Sequence, residues 1–382
     1  MRKLPPSFAW LTVFLPTLAY FLATRLPQIG VRGTNVGELV VVEGDNEPVF
    51  RVFSSHETSN LVASTWRYDS ELGRGYLLLS DAANDGRIWR WEVGGGPIVL
   101  GRTLHLDKAG CRNGPCTEGT GGLTIDFKGH ERPTEGRLVL AECGEARIVR
   151  MEDTGARTPL VLGVPNLCDE TSLQRTQNAR SMLMTPFGDL VFVEDYPACG
   201  KAALLVQRGA IHIPPLASLK ESFQAHNWTS IEAVPNVWNK APSDVQQIGG
   251  LAMVDTWTTL LATVQHVDGA VILYEIPLTT SDDDDDTSFL DLPWKKKMDL
   301  SSLGMTSAGP LVVTKDGTIV CANGEELVTL EDGTVFGVTQ LPDVVTSLTL
   351  SDDGWLYITT PTSLLRRKMR KKPVQFPTNV VL

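Results

Sequence analysis

The sequence predicts an all-β protein, a six-bladed β-propeller preceded by an N-terminal transmembrane helix. Three observations predict it. One motif recurs six times: a short apolar strand, a Gly turn, a second apolar strand, a polar gap, then an alternating strand. Helical periodicity is scarce after the N-terminus, whereas Gly (34) and Pro (23) are plentiful, as expected of short strands joined by turns. Residues 8–23 form an almost wholly apolar run behind a basic Met-Arg-Lys start.

The elements follow in chain order. At a rise of ~1.5 Å per residue, Leu4 to Leu26 reaches ~30 Å, enough to cross a bilayer core. Pro16 is tolerated in such a helix, and Trp10 and Tyr20 suit the two interfaces. The basic start keeps that end cytosolic, which puts the propeller in the lumen or outside as a single-pass protein. A cleaved signal peptide, giving a secreted protein, is the competing reading, although Phe21-Leu22-Ala23 is a poor cleavage site. The expected boundaries are 1–29 for the anchor, 30–372 for the propeller and 373–382 for a tail. Asn227-Trp228-Thr229 is then a usable glycosylation acceptor.

The first unit is TWRYDSELGRGYLLLSDAANDGRIWRWE, from Thr65. The others begin at Gly122, Ser181, Gly250, Pro310 and Ser347. Their spacing of roughly 40–70 residues suits propeller blades with insertions. No unit can bury both faces of its own sheet, but a radial ring packs each against two neighbours and leaves only short edges. The last blade needs a closing strand, which the alternating stretch Leu39 to Phe53 can supply. Trp89 and Trp91 share one strand face and read as packing between blades.

The remaining features bound the chemistry. A net charge of −11 argues against nucleic acid as a partner. Five consecutive Asp in the insertion 278–300 read as a solvated loop, because a calcium loop needs its acids spaced by turn residues. The basic run 366–372 reads as a solvated tail, with contact to anionic head groups as the other reading. The six cysteines lack CxxC spacing. Cys111 and Cys116 bracket a Gly/Pro loop, and either close a small disulfide or stay as thiols. No GxSxG, P-loop or Rossmann pattern stands in a suitable setting.

The units resemble the gluconolactonase and senescence-marker-protein (regucalcin) family. LLLSDAANDGRIWRW is similar to its first-blade hairpin, GGLTIDFKG…EGRLVLAECGEARIVRMED to its second blade, FGDLVFVED to its third and VVTSLTLSDDGWLYITTPTSLLR to its closing blade. The resemblance spans about residues 60–370. It implies a site at one mouth of the central channel, where Glu, Asn and Asp oxygens hold one divalent cation, usually calcium. That cation would polarise a lactone carbonyl and help activate water, with the Asp as general base. Carried over, the ligand Glu falls on Val62, and the remaining ligands on Gly121, Arg180, Gly249 and Gly309, so no metal is expected at these five positions. Calcium or another divalent cation is implied only if the site survives in altered form.

Oxygen-bearing substitutes stand nearby at Glu118, Thr120, Asn178, Asn323 and Glu325. Arg180 would repel a cation and suits a carboxylate or phosphate, or else a surface salt bridge. His266 is the histidine to examine for proximity to the channel, with a structural role as the other reading. The candidate mouth residues are therefore Arg180, Asn178, Glu118, Thr120, Asn323 and His266, with a small-molecule ligand and the membrane as expected partners. The resulting expectation is a membrane-anchored gluconolactonase-like propeller, a lactone or ester hydrolase with an altered metal site. The alternatives are a non-catalytic ligand- or partner-binding propeller and a strictosidine-synthase-like one.

Overall fold

The computed structural model describes residues 38–41, 49–54, 60–82, 87–93, 101–108, 120–127, 134–169, 173–174, 176, 179–216, 237–239, 242, 244–254, 259–277 and 294–369. Each repeated unit becomes one antiparallel sheet. The first blade runs Leu61–Asp69, Arg74–Asp81, Arg87–Val93 and Gly101–Lys108 from the axis outward. The next four begin on inner strands Thr120–Asp126, Arg180–Met184, Val245–Met253 and Leu311–Val313, and each has four strands.

The sixth blade closes the ring. Its inner three strands, Ser347–Leu350, Trp355–Thr359 and Ser363–Lys368, come from the C-terminal part. Val49–Ser54 then pairs antiparallel with Ser363–Lys368, and Glu38–Val41 adds a fifth strand outside it. So the stretch 39–53 supplies the closing strand through its second half, Val49–Ser54, while its first half forms a separate outer strand, Glu38–Val41, in place of one continuous strand. Each inner strand touches the next, and the sixth touches the first. Among the described residues the result is six blades, with three short 3-10 helices and no α-helix.

Burial explains the ring. Each blade carries apolar side chains on both faces, and each seam buries them against a neighbour. At the seam of blades six and one, the Trp66 ring stacks on Tyr357 at 5.6 Å and Trp91 meets the same ring edge-on at 5.4 Å. Trp91 is thus inter-blade packing. Turn chemistry fits the same plan. Gly188, at φ +83°, makes the first hairpin turn of blade three, and Ile211 packs so closely that a Cβ there would lie 2.2 Å from it.

Two expectations need correction. Among the described residues no helix is long and apolar enough to cross a membrane, which overturns the membrane-anchored placement. The anchor segment 1–29 and the tail 373–382 lie outside the described residues. The basic run after residue 365 does not begin as a solvated tail, since Arg366 and Arg367 are buried in the last strand. Alternation sends them to opposite faces. Arg366 lies over the Trp355 ring at 4.2 Å, while Arg367 donates to the Thr329 and Thr339 hydroxyls at 3.3 Å. A disulfide joins Cys168 to Cys199 across 31 residues, tying the segment before blade three to a turn within it. Cys111, Cys116 and Asn227 lie outside the described residues.

Candidate functional site at the channel mouth

The six inner strands begin at one end of the channel, around a cavity of about 640 Å³. Three consecutive residues of each strand or its lead-in line it, so the wall has three layers. The outermost holds Val62, Gly121, Arg180, Gly249, Gly309 and Thr346. The five positions carried over from the family's ligand set are all in this layer. The second layer holds Ala63, Gly122, Ser181, Gly250, Pro310 and Ser347.

Local backbone geometry places these residues. In blades one to four the pairing of inner and second strands slips at this end, between Leu61 and Ala63, Thr120 and Leu123, Arg180 and Leu183, and Ile248 and Gly250. Such bulges bend a strand and redirect its side chains. Ser181, within one of them, adopts φ +48°, a conformation that costs a non-glycine residue about 1–3 kcal/mol.

The glycines have a packing reason. A Cβ on Gly249 would lie 2.3 Å from the Ala308 carbonyl, and one on Gly121 2.3 Å from the Ala179 carbonyl. At Gly309 it would lie 2.5 Å from the Ala322 oxygen. Backbone therefore meets backbone where the family pattern has metal ligands. Hydroxyls stitch the closing seam. Ser64 Oγ lies 3.0 Å from Ser347 Oγ and 2.7 Å from Thr349 Oγ1, and the Thr346 hydroxyl donates to the Leu61 carbonyl at 2.8 Å.

Among the described residues, Arg180 and Asp195 are the charged side chains on this wall. Arg180 donates from Nη2 to Asp195 Oδ1 at 3.0 Å and from Nε to Oδ2, a two-point pair. At 26% and 30% exposure, both side chains remain reachable from the cavity.

The other candidate residues divide. Asn323 does not line the cavity. Its Oδ1 accepts from the Thr306 and Ser307 backbone N–H groups at 2.9 and 3.0 Å, and its amide donates to Glu326, so it fixes the lead-in to blade five's inner strand. His266 is buried within blade four, between Asp244 at 2.8 Å and the Tyr274 hydroxyl at 3.0 Å. Its hydrogen bond holds the Asp244 carboxyl below the usual range, while burial, then the Asp244 charge, pushes the Tyr274 hydroxyl up. Thr120 sits on the inner strand of blade two opposite Glu142. Glu118 and Asn178 lie outside the described residues.

Asp195 was missed by sequence reasoning, although it ends the Glu194-Asp195 pair of the FVED motif. Alternation sends those two acids to opposite faces. Glu194 is buried and accepts from Thr176 at 2.6 Å, and Asp195 faces the channel.

The family pattern implies a metal at this wall. A calcium ion needs six to eight oxygens. Three of the five ligand positions are glycines packed on backbone, one is Val62 and one carries a positive charge. Among the described residues no group of three or more His, Cys, Asp or Glu could hold a metal ion. The described residues do not fit the cation.

Comparison with known proteins turns on the fold. No protein-family model matches the sequence, and no curated protein matches it either. A gluconolactonase from Xanthomonas campestris is similar in structure with a TM-score of 0.58 at 15% identity, over 88% of this chain and 99% of the other. The chain has the gluconolactonase fold. A second solved gluconolactonase candidate aligns with a TM-score of 0.56 at 13% identity, over 89% of this chain and 97% of its own. At these identities the likeness concerns the fold. It agrees with the resemblance drawn from the blade motifs, and this chain is a strongly divergent example of that fold.

Proposed function

We propose that the channel mouth binds a small oxygen-rich molecule of the lactone and sugar-acid class, and does so without a divalent cation. One observation carries this reading. The two-point pair Arg180–Asp195 stands, half exposed, in the layer where the family pattern has its metal, and packed glycines surround it. A guanidinium there offers a carboxylate or a lactone carbonyl the positive charge that calcium would otherwise supply, with fixed fork geometry. The ligand oxygen takes over Arg180, and Asp195 is then freed to accept from a ligand hydroxyl.

Titration calorimetry with gluconate and δ-gluconolactone tests this, with and without EDTA. The expected result is binding that is indifferent to EDTA and lost in Arg180→Met. Binding that requires calcium and survives Arg180→Met would overturn it.

A lactone hydrolase is the second reading, favoured by the same Asp195. Once released from Arg180, the carboxylate can take a proton from water while Arg180 polarises the carbonyl that the resulting hydroxide attacks; the ring C–O bond then breaks, and the proton held on Asp195 passes to the leaving alkoxide. EDTA-resistant hydrolysis of a chromogenic lactone, abolished in Asp195→Asn, is the outcome that selects it. Absence of turnover leaves binding alone.

A further inference from the structure

Below the charged rim the wall changes character. The third layer consists of Ser64, Leu123, Met182, Leu251, Leu311 and Leu348. Five of the six are large apolar side chains, one from each of blades two to six. Ser64 is already occupied with Ser347 and Thr349, so it offers no spare polar contact to a ligand without breaking the closing seam. Leu251 is half-buried and keeps surface toward the cavity, whereas Leu123, Met182, Leu311 and Leu348 border it but are packed into hydrophobic core clusters. The hydroxyls of a sugar acid can stay at the polar rim, but any hydroxyl carried below it would lose its water against apolar side chains without a replacement hydrogen bond, which is unfavourable.

From these observations we infer that the throat accepts an apolar tail, so the preferred ligand is amphipathic, with a carboxylate or lactone head at Arg180 and an unbranched hydrocarbon chain pointing down the channel. This rests on the reading that Arg180 anchors the ligand, and it sharpens the substrate class. Two residues of strand separate the rim from the leucine layer, a drop of ~7 Å, about the length of a five-carbon chain. The polar rim then orients the head, and the apolar wall, chiefly at Leu251, supplies affinity in proportion to the apolar area removed from water.

The test is a homologous series of straight-chain carboxylates, from acetate to octanoate, measured by calorimetry on the full chain. Affinity should rise about fourfold per methylene, then level off near a five- or six-carbon tail. Leu251→Asn should flatten the series. Leu251→Phe, which fills the throat without adding polarity, should move the plateau to shorter chains. Circular dichroism melts establish that both variants fold.

Equal affinity for acetate and hexanoate in the unaltered protein would overturn the inference, as would a chain-length dependence unchanged in both Leu251 variants. If gluconate binds through Arg180 while the series stays flat, the apolar throat is refuted and the mouth reading stands. If no ligand responds to Arg180→Met, the mouth reading itself fails.

Discussion

Two sets of charges occupy opposite ends of neighbouring blades, and they are built differently. At the far end of blade two, Asp126, Arg137, Arg150 and Glu152 form a quartet of two positive and two negative groups. Arg150 is fully buried. It meets Glu152 at 2.9 Å and Asp126 at 3.1 Å, and donates to the Ala210 and Ile213 carbonyls of blade three. Arg137 bridges the same two acids at 2.8 Å. At the mouth of blade three, Arg180 and Asp195 pair with each other on the cavity wall, and both reach solvent. The difference teaches where charge is structural and where it is available. A buried quartet cannot release a member without stranding a charge in a low-dielectric interior. A half-exposed pair can exchange its partner for a ligand, because water and the ligand compete on similar terms.

The strongest attempt to break this contrast is Arg150→Met. It leaves Asp126 and Glu152 short of a buried partner, and should cost about 3–5 kcal/mol in urea denaturation. A loss no larger than that of a surface substitution would erase the distinction. Next comes Gly249→Ala, which puts a methyl into the Ala308 backbone where the rim closes. Overpacking of this kind costs about 1–3 kcal/mol, read from the same denaturation midpoint.

A pH titration sharpens the contrast further. Burial pushes the Glu152 carboxyl up, but the Thr158 hydrogen bond and the charges of Arg150 and Arg137 outweigh it and hold the carboxyl below its ordinary 4.5. A depressed folded value means that the stabilisation is fully present above 4.5 and is lost as pH falls through the folded value. Thr158→Val should therefore move the acid limb of the urea midpoint toward higher pH. An unmoved limb would remove Glu152 from the account. The smallest expected stability effect is Arg180→Met. A half-exposed pair contributes at most about 1 kcal/mol, so its melting temperature should barely change while ligand binding is lost. A large drop in melting temperature would make the pair structural like the quartet.

Much of the architecture was written along the chain. Six repeats of strand, turn and strand, each with apolar residues for both faces, leave few ways to bury that surface other than a ring. The alternation in the stretch 39–53 marked strand ahead of the first blade, and the sixth blade lacked a closing strand. The depth of the mouth was legible too, since the positions aligned with the family pattern, from Val62 to Gly309, converge on one layer.

What only the tertiary structure decided is what those positions do. A glycine in sequence is equally a lost ligand or a close approach, and only the neighbouring backbone at 2.3 Å shows that Gly121 and Gly249 are close approaches. Arg366 and Arg367 continue into a basic run, and their burial depends on which blades flank the last strand. Asn323 and His266 carry the right atoms for a site, yet their hydrogen bonds hold lead-in and blade in place instead. The physical reason is common to all of these. Local spacing sets which face of a strand a side chain leaves from, through a period of two. The chemistry available to that side chain depends on atoms brought beside it from tens to hundreds of residues away, and that is settled only when the ring closes.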